Sequence, residues 1–455
     1  MTCRAALSAL LSALTAALGP KVRAVGIDNL QTEITGVNTD TRTIEAGQLF
    51  VALEGERFNG HDFAEKAVAG GAIATLTRHG VITADLPRIE VPDTLAAYQA
   101  LGRWWRRQLS LPVIAITGSV GKTTTKELIA AALSHHGQVH KTRANFNNEI
   151  GVPKTLLEVT PSHDYAVVEM GMRGPGEIAL LTQIAEPNIA VITNVGTAHI
   201  GRLGSEQAIA DAKCELLAEL PQNGIAVLNY DNARLIKTAA GVWQGPQITY
   251  GLTGGDVHGE MVDSETMTVD GVRIPLPLTG EHNALNLLSA IATLQALNLD
   301  WRFLQNGLQV HMPAGRAQRH ALPNDVIILD ETYNAGAESM VAALKLLATQ
   351  PGQRRVAVLG TMKELGQQSL ELHQRVGQTV ADLNLDQLFI LADPAEADAL
   401  STGAGTIPSQ QFTAPNELVS ELKNYLQPGD RVLFKASRSV ALDKVVDQLV
   451  SAALE

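Results

Sequence analysis

The chain of 455 residues holds only two cysteines. Cys3 and Cys214 stand far apart, so there is neither a disulfide framework nor a CxxC metal pair, and a reducing cytoplasm is the expected compartment. Basic charge is also short: 35 Lys and Arg face 47 Asp and Glu, a formal net charge of −12. Coating nucleic acid or an anionic bilayer needs the opposite balance, which argues against both as partners without excluding local basic sites. No apolar run approaches the roughly 18 residues that span a bilayer, so no membrane insertion is expected. Fixed-period repeats and low-complexity segments are missing too.

A hydrophobic content of 45% rules out disorder. At about 150 residues per domain the length predicts about three cores, and a monomer is the expected state. Residues 5–18 follow Arg4 and have the composition of a signal-peptide core, but Leu7, Leu10, Leu11, Leu14 and Leu18 recur at helical spacing. An amphipathic helix ending at Gly19-Pro20 is the reading.

Three α/β units follow from the pattern. Residues 1–93 mix strand-like pieces (33–37, 47–53) with a helical stretch (61–70) in a small mixed α/β module. Asp93-Thr94 caps a helix over 95–109 that carries Trp104-Trp105 and three arginines. Residues 94–313 alternate strands (113–117, 165–168, 189–193, 225–229) with helices, which implies a parallel sheet. A hairpin at 267–274, turning on Asp270-Gly271, and a helix over 283–297 complete this unit. In 314–455 the alternation restarts with strands at 326–329, 355–359, 388–391 and 432–434, a second parallel α/β domain.

The chemistry concentrates in the middle unit. Gly118-Ser119-Val120-Gly121-Lys122-Thr123-Thr124 follows a strand and opens a helix, the context of a phosphate-cradling loop. Backbone N–H groups would hold phosphate oxygens, Lys122 would offset charge at the β/γ end, and the Thr123 hydroxyl could ligate Mg²⁺. The common GxxxxGK[ST] form is not met, because Ile116 stands where it needs glycine; a nucleotide-free glycine turn is the plainer alternative. Glu169 ends the next strand, where a metal-holding acid is wanted, and equally fits a solvated strand end. His199 follows the strand after that, at the same sheet edge, where open α/β sheets bind ligands. Lys213 lies in a helix over 208–220 with Glu215 nearby, and on pattern alone reads as a solvated helix lysine.

The order TGSVGKTT, VEMG, TNVGTAH and AKCELL, followed by Gly280-Glu-His-Asn283-Ala-Leu-Asn286, Gly315-Arg316 and Asp330-Glu-Thr-Tyr333-Asn334-Ala335, resembles the Mur ligase superfamily over essentially the whole chain. Asn38-Thr-Asp40-Thr41-Arg42, Gly47 to Leu53 and Gly55 to Phe63 are similar to the UDP-binding domain of two of its branches, and Leu359-Gly-Thr-Met-Lys-Glu-Leu-Gly366 to the branch that adds D-alanyl-D-alanine. The resemblance implies ATP-dependent amide formation between UDP-N-acetylmuramoyl-tripeptide and D-alanyl-D-alanine through an acyl phosphate, in peptidoglycan precursor synthesis. It also implies two Mg²⁺ ions, one at Thr123 and Glu169 and one near His199 and a carbamylated Lys213. Asn283 would read adenine, and Arg316, Asp330 and Tyr333 would meet the nucleotide. Thr41, Arg42, Asn334, Lys435, Ser437 and Arg438 would meet the other substrates. The family pattern is departed from at Asn59, Glu331, Gly336, Thr361 and Ala436.

Alternatives are a ligase adding the third residue, whose Asp-Asn-Pro-Arg tetrapeptide is absent, and a folylpolyglutamate synthase, which should lack the 40–42 block. A nucleotide-gated binding protein without turnover is the alternative of another class. A GTPase is disfavoured because no Asn-Lys-x-Asp motif occurs.

Overall fold

The computed structural model describes residues 3–56 and 58–454, so Arg57 of the 55–63 block lies outside the described residues. Helix Leu7–Leu18 buries Leu7, Leu10 and Leu14, each contributing about 1.5–3 kcal/mol of burial, and stops at Gly19 with φ +84°. The 33–37 stretch is not one strand. Thr35-Gly36 separates Glu33–Ile34, paired with Ala5–Ala6, from Val37–Asn38, which joins a five-stranded sheet ordered Arg23–Val25, Arg88–Val91, Ala74–Arg78, Leu49–Val51, Val37–Asn38. Only the Arg23–Val25 edge runs antiparallel.

Helix Thr94–Gln108 begins as expected, with Asp93 Oδ1 accepting from Ala96 N at 2.9 Å. Its arginines tie it to the middle unit. Buried Arg106 donates to Ala185 O (3.0 Å) and Asn188 Oδ1 (2.9 Å), while Arg103 and Arg107 meet Glu186. One apolar core runs from Leu10 and Tyr98 through Leu156 and Ile178 to Leu344 and Leu388, so the sheets are separate while their packing is continuous.

Among the described residues the middle sheet has nine strands. Their order is Val272–Pro275, Thr266–Val269, Val257–Asp263, Gln247–Gly251, Ile225–Asn229, Ile189–Ile192, Val113–Thr117, Tyr165–Glu169, Val139–Lys141. The seven strands from Val257–Asp263 to Val139–Lys141 are parallel, and the expected hairpin closes the other end antiparallel, with Asp270 and Gly271 at φ +49° and +75°. Strand Val113–Thr117 has buried apolar residues on both faces. It lies between the strands ending at Glu169 and Ile192, so the chain leaves it toward both sides and opens a crevice at its carboxyl end.

The third sheet is ordered Gln318–Leu322, Val326–Asp330, Asp430–Lys435, Arg354–Gly360, Gln387–Leu391, Ser409–Phe412. It is parallel except for Gln318–Leu322, which turns back on Val326–Asp330 through Pro323–Asp325. No helix of the described residues is long and apolar enough to cross a membrane.

Candidate active site between the middle and third sheets

The loop after Thr117 is shaped by two glycines. Gly121 sits at φ +86° as the N-cap of helix Lys122–Leu133, and a Cβ there would stand 2.7 Å from Asn286 Oδ1. At Gly118, φ +151°, a Cβ would stand 1.9 Å from Thr193 Oγ1. Gly118→Ala must therefore displace the loop, at a strain on the order of 1–3 kcal/mol. ADP binding weakened at least about tenfold in calorimetry, with cooperative unfolding retained, is the expected result.

The segment after Ile189–Ile192 clamps this loop from the side. Thr193 Oγ1 donates to Val120 O (2.6 Å), Val120 N to Asn194 Oδ1 (2.9 Å), Ser119 N to Asn194 O (3.0 Å) and Gly196 N to Ser119 Oγ (2.9 Å). Lys122 Nζ donates to Gly118 O at 2.7 Å. Burial pulls its pKa below the usual lysine range, opposed by Glu169 and assisted by Arg316.

Glu169 is not a solvated strand end: it is 3% exposed. Thr123 Oγ1 donates to its Oε2 at 2.9 Å and Asn147 Nδ2 to its Oε1 at 2.8 Å, with Lys126 Nζ 3.8 Å from Oε2. The hydroxyl and carboxylate expected to share a cation are thus already side by side, a set of hard oxygen donors suited to Mg²⁺.

His199 stands in left-handed backbone (φ +67°), its Nδ1 2.5 Å from Glu364 Oε2 of the third unit. Burial lowers its pKa, Glu364 opposes that, and Lys122 and Lys213 add to it. Lys213, in helix Glu206–Ala218, overturns the solvated-helix reading: it is 1% exposed, and its amine makes no hydrogen bond or ion pair with any described residue. Burial first, then the Lys122 ammonium, push its pKa well below the lysine range. Glu215 cannot relieve it, because both its oxygens accept from Gly176 N (2.7 Å) and Ala179 N (3.1 Å).

The third unit supplies the opposite wall. Arg316 lies 4.0 Å from the Tyr333 ring centroid, its buried Nε unpartnered. Lys435 Nζ donates to Asn334 O at 3.0 Å, and burial lowers its pKa. Beside it, burial and then Lys435 push His282 down to about 4. Asn283 opens helix Glu281–Ala296 on the central side, its Nδ2 on Thr279 O.

A cavity of about 910 Å³ joins these walls. It is lined by Ser119 to Thr124, Glu169, His199, Asn283, Arg316, Tyr333, Asn334 and Lys435. Gly118 and Lys213 lie behind this lining. Asp330 is turned from it, its Oδ1 accepting from Thr332 N and Oγ1 (3.0 and 2.6 Å). Ser437 Oγ accepts from Lys363 N at 2.9 Å, outside the lining, while Arg438 is 61% exposed on its side chain and paired with Asp443. Thr41 and Arg42 belong to the first unit and also lie apart from the cavity; Arg42 is bonded to Asp40, whose pKa it holds down at about 2.

Models of known families match this chain over three stretches: the Mur ligase family catalytic domain at 33–103, the Mur ligase middle domain at 116–294, and the Mur ligase glutamate ligase domain at 315–438. The chain belongs to the Mur ligase family. This Mur ligase is 57% identical over 431 residues to the UDP-N-acetylmuramoyl-tripeptide--D-alanyl-D-alanine ligase of Synechocystis, covering 94% of this chain and 95% of that one. A crystal structure of MurF from Acinetobacter baumannii superposes with a TM-score of 0.88 at 33% identity, covering 97% and 98% of the two chains. MurF from Thermotoga maritima in complex with ADP gives 0.81 at 29% identity, covering 92% and 98%.

Sequence reading passed over four groups of the Mur ligase site. Asn194 and Glu364 lay inside motifs already singled out, and Asn147 in the Asn145-Phe-Asn-Asn148 run gave a polar signal. Glu338 gave none: a first-turn helix Glu usually faces solvent, yet here it meets Thr197 of the other unit.

Proposed function

We propose that this Mur ligase joins D-alanyl-D-alanine to UDP-N-acetylmuramoyl-tripeptide at the expense of ATP, through an acyl phosphate. The observation that carries this reading is the single cavity in which a phosphate loop and Glu169 of the middle unit face Arg316, Tyr333, Asn334 and Lys435 of the third. Naming of the similar ligases, and ADP in the Thermotoga structure, support the substrates and the nucleotide.

The chemistry explains the charge around the cavity. A carboxylate is a poor electrophile, and bringing it to a triphosphate sets like charges together. Lys122 offsets charge on the β/γ end, and the loop N–H groups at the helix N-terminus hold phosphate oxygens. The tripeptide carboxylate attacks the γ-phosphorus, ADP leaves, and the amine of D-alanyl-D-alanine then displaces phosphate from the acyl carbon. Arg316 and Tyr333 flank the nucleotide, Asn283 reads the base, and Asn334 and Lys435 border the amine substrate. Thr41 and Arg42 belong to a UDP site on the first unit.

Thr123 and Glu169 would hold one Mg²⁺, supplying charge neutralisation. For a second cation, His199 offers a ring nitrogen, but an ammonium at 213 does not fit. The pKa-lowered, unpartnered amine suits carbamylation: it adds to CO₂, a C–N bond forms, one proton leaves, and an anionic oxygen donor results. ADP release from ATP with both UDP-tripeptides, with and without D-alanyl-D-alanine, tests the reading. Release that requires the dipeptide is expected; release indifferent to it would refute the assignment.

A further inference from the structure

Glu338 stands in the first turn of helix Ala337–Thr349 of the third unit, yet its carboxylate is spent on the middle unit. Thr197 N donates to its Oε1 at 2.8 Å and Thr197 Oγ1 to its Oε2 at 3.1 Å. Gly196 makes room for it, since a Cβ there would lie 2.8 Å from the carboxylate. The same short segment grips the phosphate loop through Asn194 and Gly196, and two residues beyond Thr197 it delivers His199 to Glu364. Residues 194–199 are therefore held at one end by the loop that takes phosphate and at the other by two carboxylates of the third unit.

We propose that Glu338 is a positioning residue that sets the segment carrying His199 once the third unit is docked. On this arrangement the phosphate loop needs only the middle unit, while the geometry for attack and amide formation needs Glu338 on Thr197. Glu364 holds the far end of the segment, its carboxylate on His199 and its carbonyl oxygen accepting from Gly201 N at 3.0 Å, whereas Glu338 fixes the backbone N–H of Thr197 nearer the phosphate loop. The inference rests on the ligase reading above and adds a residue to it.

The test compares Glu338→Ala with Glu338→Gln in the full chain, by ADP calorimetry, thermal unfolding and steady-state kinetics. In the Ala variant ADP affinity should stay within about twofold, because the bonds of Asn194 and Gly196 to the phosphate loop remain, while kcat falls about tenfold to a hundredfold from a misplaced segment. The KM for D-alanyl-D-alanine should rise and that for ATP hold. Gln should recover most of the loss, because its carbonyl still accepts from Thr197 N and its amide can donate to Thr197 Oγ1. Unchanged kcat and KM in the Ala variant overturn the proposal. So does an equal loss of ADP binding and melting temperature in both variants, which marks a structural role. Failure of the ligase reading is distinct: the unmutated protein would then form no amide product.

Discussion

Lys122→Ala is expected to lose ATP-dependent amide formation by a factor on the order of a hundred to a thousand while staying folded. In the free protein the Lys122 ammonium rests on the loop's own carbonyls, Gly118 O at 2.7 Å and Ser119 O at 3.4 Å. Removing it costs the fold little, because the ammonium bonds only to these two loop carbonyls and Lys122 itself lines the open cavity, where water can take its place. With triphosphate present the same position faces several negative oxygens, and no other lysine or arginine is part of the loop. Circular dichroism melting beside the ADP-release assay separates the two effects. Near-normal turnover would remove the loop from the mechanism, and an early melt would show that the ammonium mainly holds the loop.

Lys213 carries the second large effect. Lys213→Arg should be inactive although it keeps a positive charge, since a guanidinium cannot take up CO₂ and remains cationic. Lys213→Ala should lose activity by a comparable factor, on the order of a few kcal/mol of transition-state stabilisation. Small carboxylates added to the Ala variant should restore part of it by filling the vacated space. A carbamate resonance in ¹³C NMR under labelled CO₂, absent from both variants, would identify the modified side chain independently of turnover. Depleting bicarbonate should lower activity reversibly. An active Arg variant, or full activity without CO₂ and without the resonance, returns residue 213 to an unmodified buried amine.

How far these groups could be read in advance depended on whether their signal was local. The phosphate loop was legible because glycine spacing, a buried strand and a helix start coincide within a dozen residues. Strands rich in Val, Ile and Leu, such as Val113–Thr117 and Gln387–Leu391, declared themselves by unbroken apolar runs. Ser409–Phe412 did not: three of its four residues are exposed at a sheet edge, so neither alternation nor burial marks it. Gln247–Gly251 and Val257–Asp263 were equally hidden, being mixed in polarity and half covered. Lys213 misled because its burial comes from neighbours distant in sequence, while the glutamate that its own helix offers two residues on, Glu215, caps another helix instead. Glu338 had to await the juxtaposition of two sheets that no single segment encodes.

The hairpin at the far end of the nine-stranded sheet bears on how the protein avoids sticking to itself. A long parallel sheet left open would present a row of unpaired backbone groups to any passing chain. Here the outermost strand is only Val272–Pro275, and it carries exposed Arg273 and ends in Pro275, which has no N–H to offer. The opposite edge, Val139–Lys141, is three residues long and finishes in Lys141, paired with Glu127. Replacement of Arg273 and Pro275 by valine would remove that protection, leaving the cavity untouched while exposing a sticky β-edge that would limit solubility at high concentration.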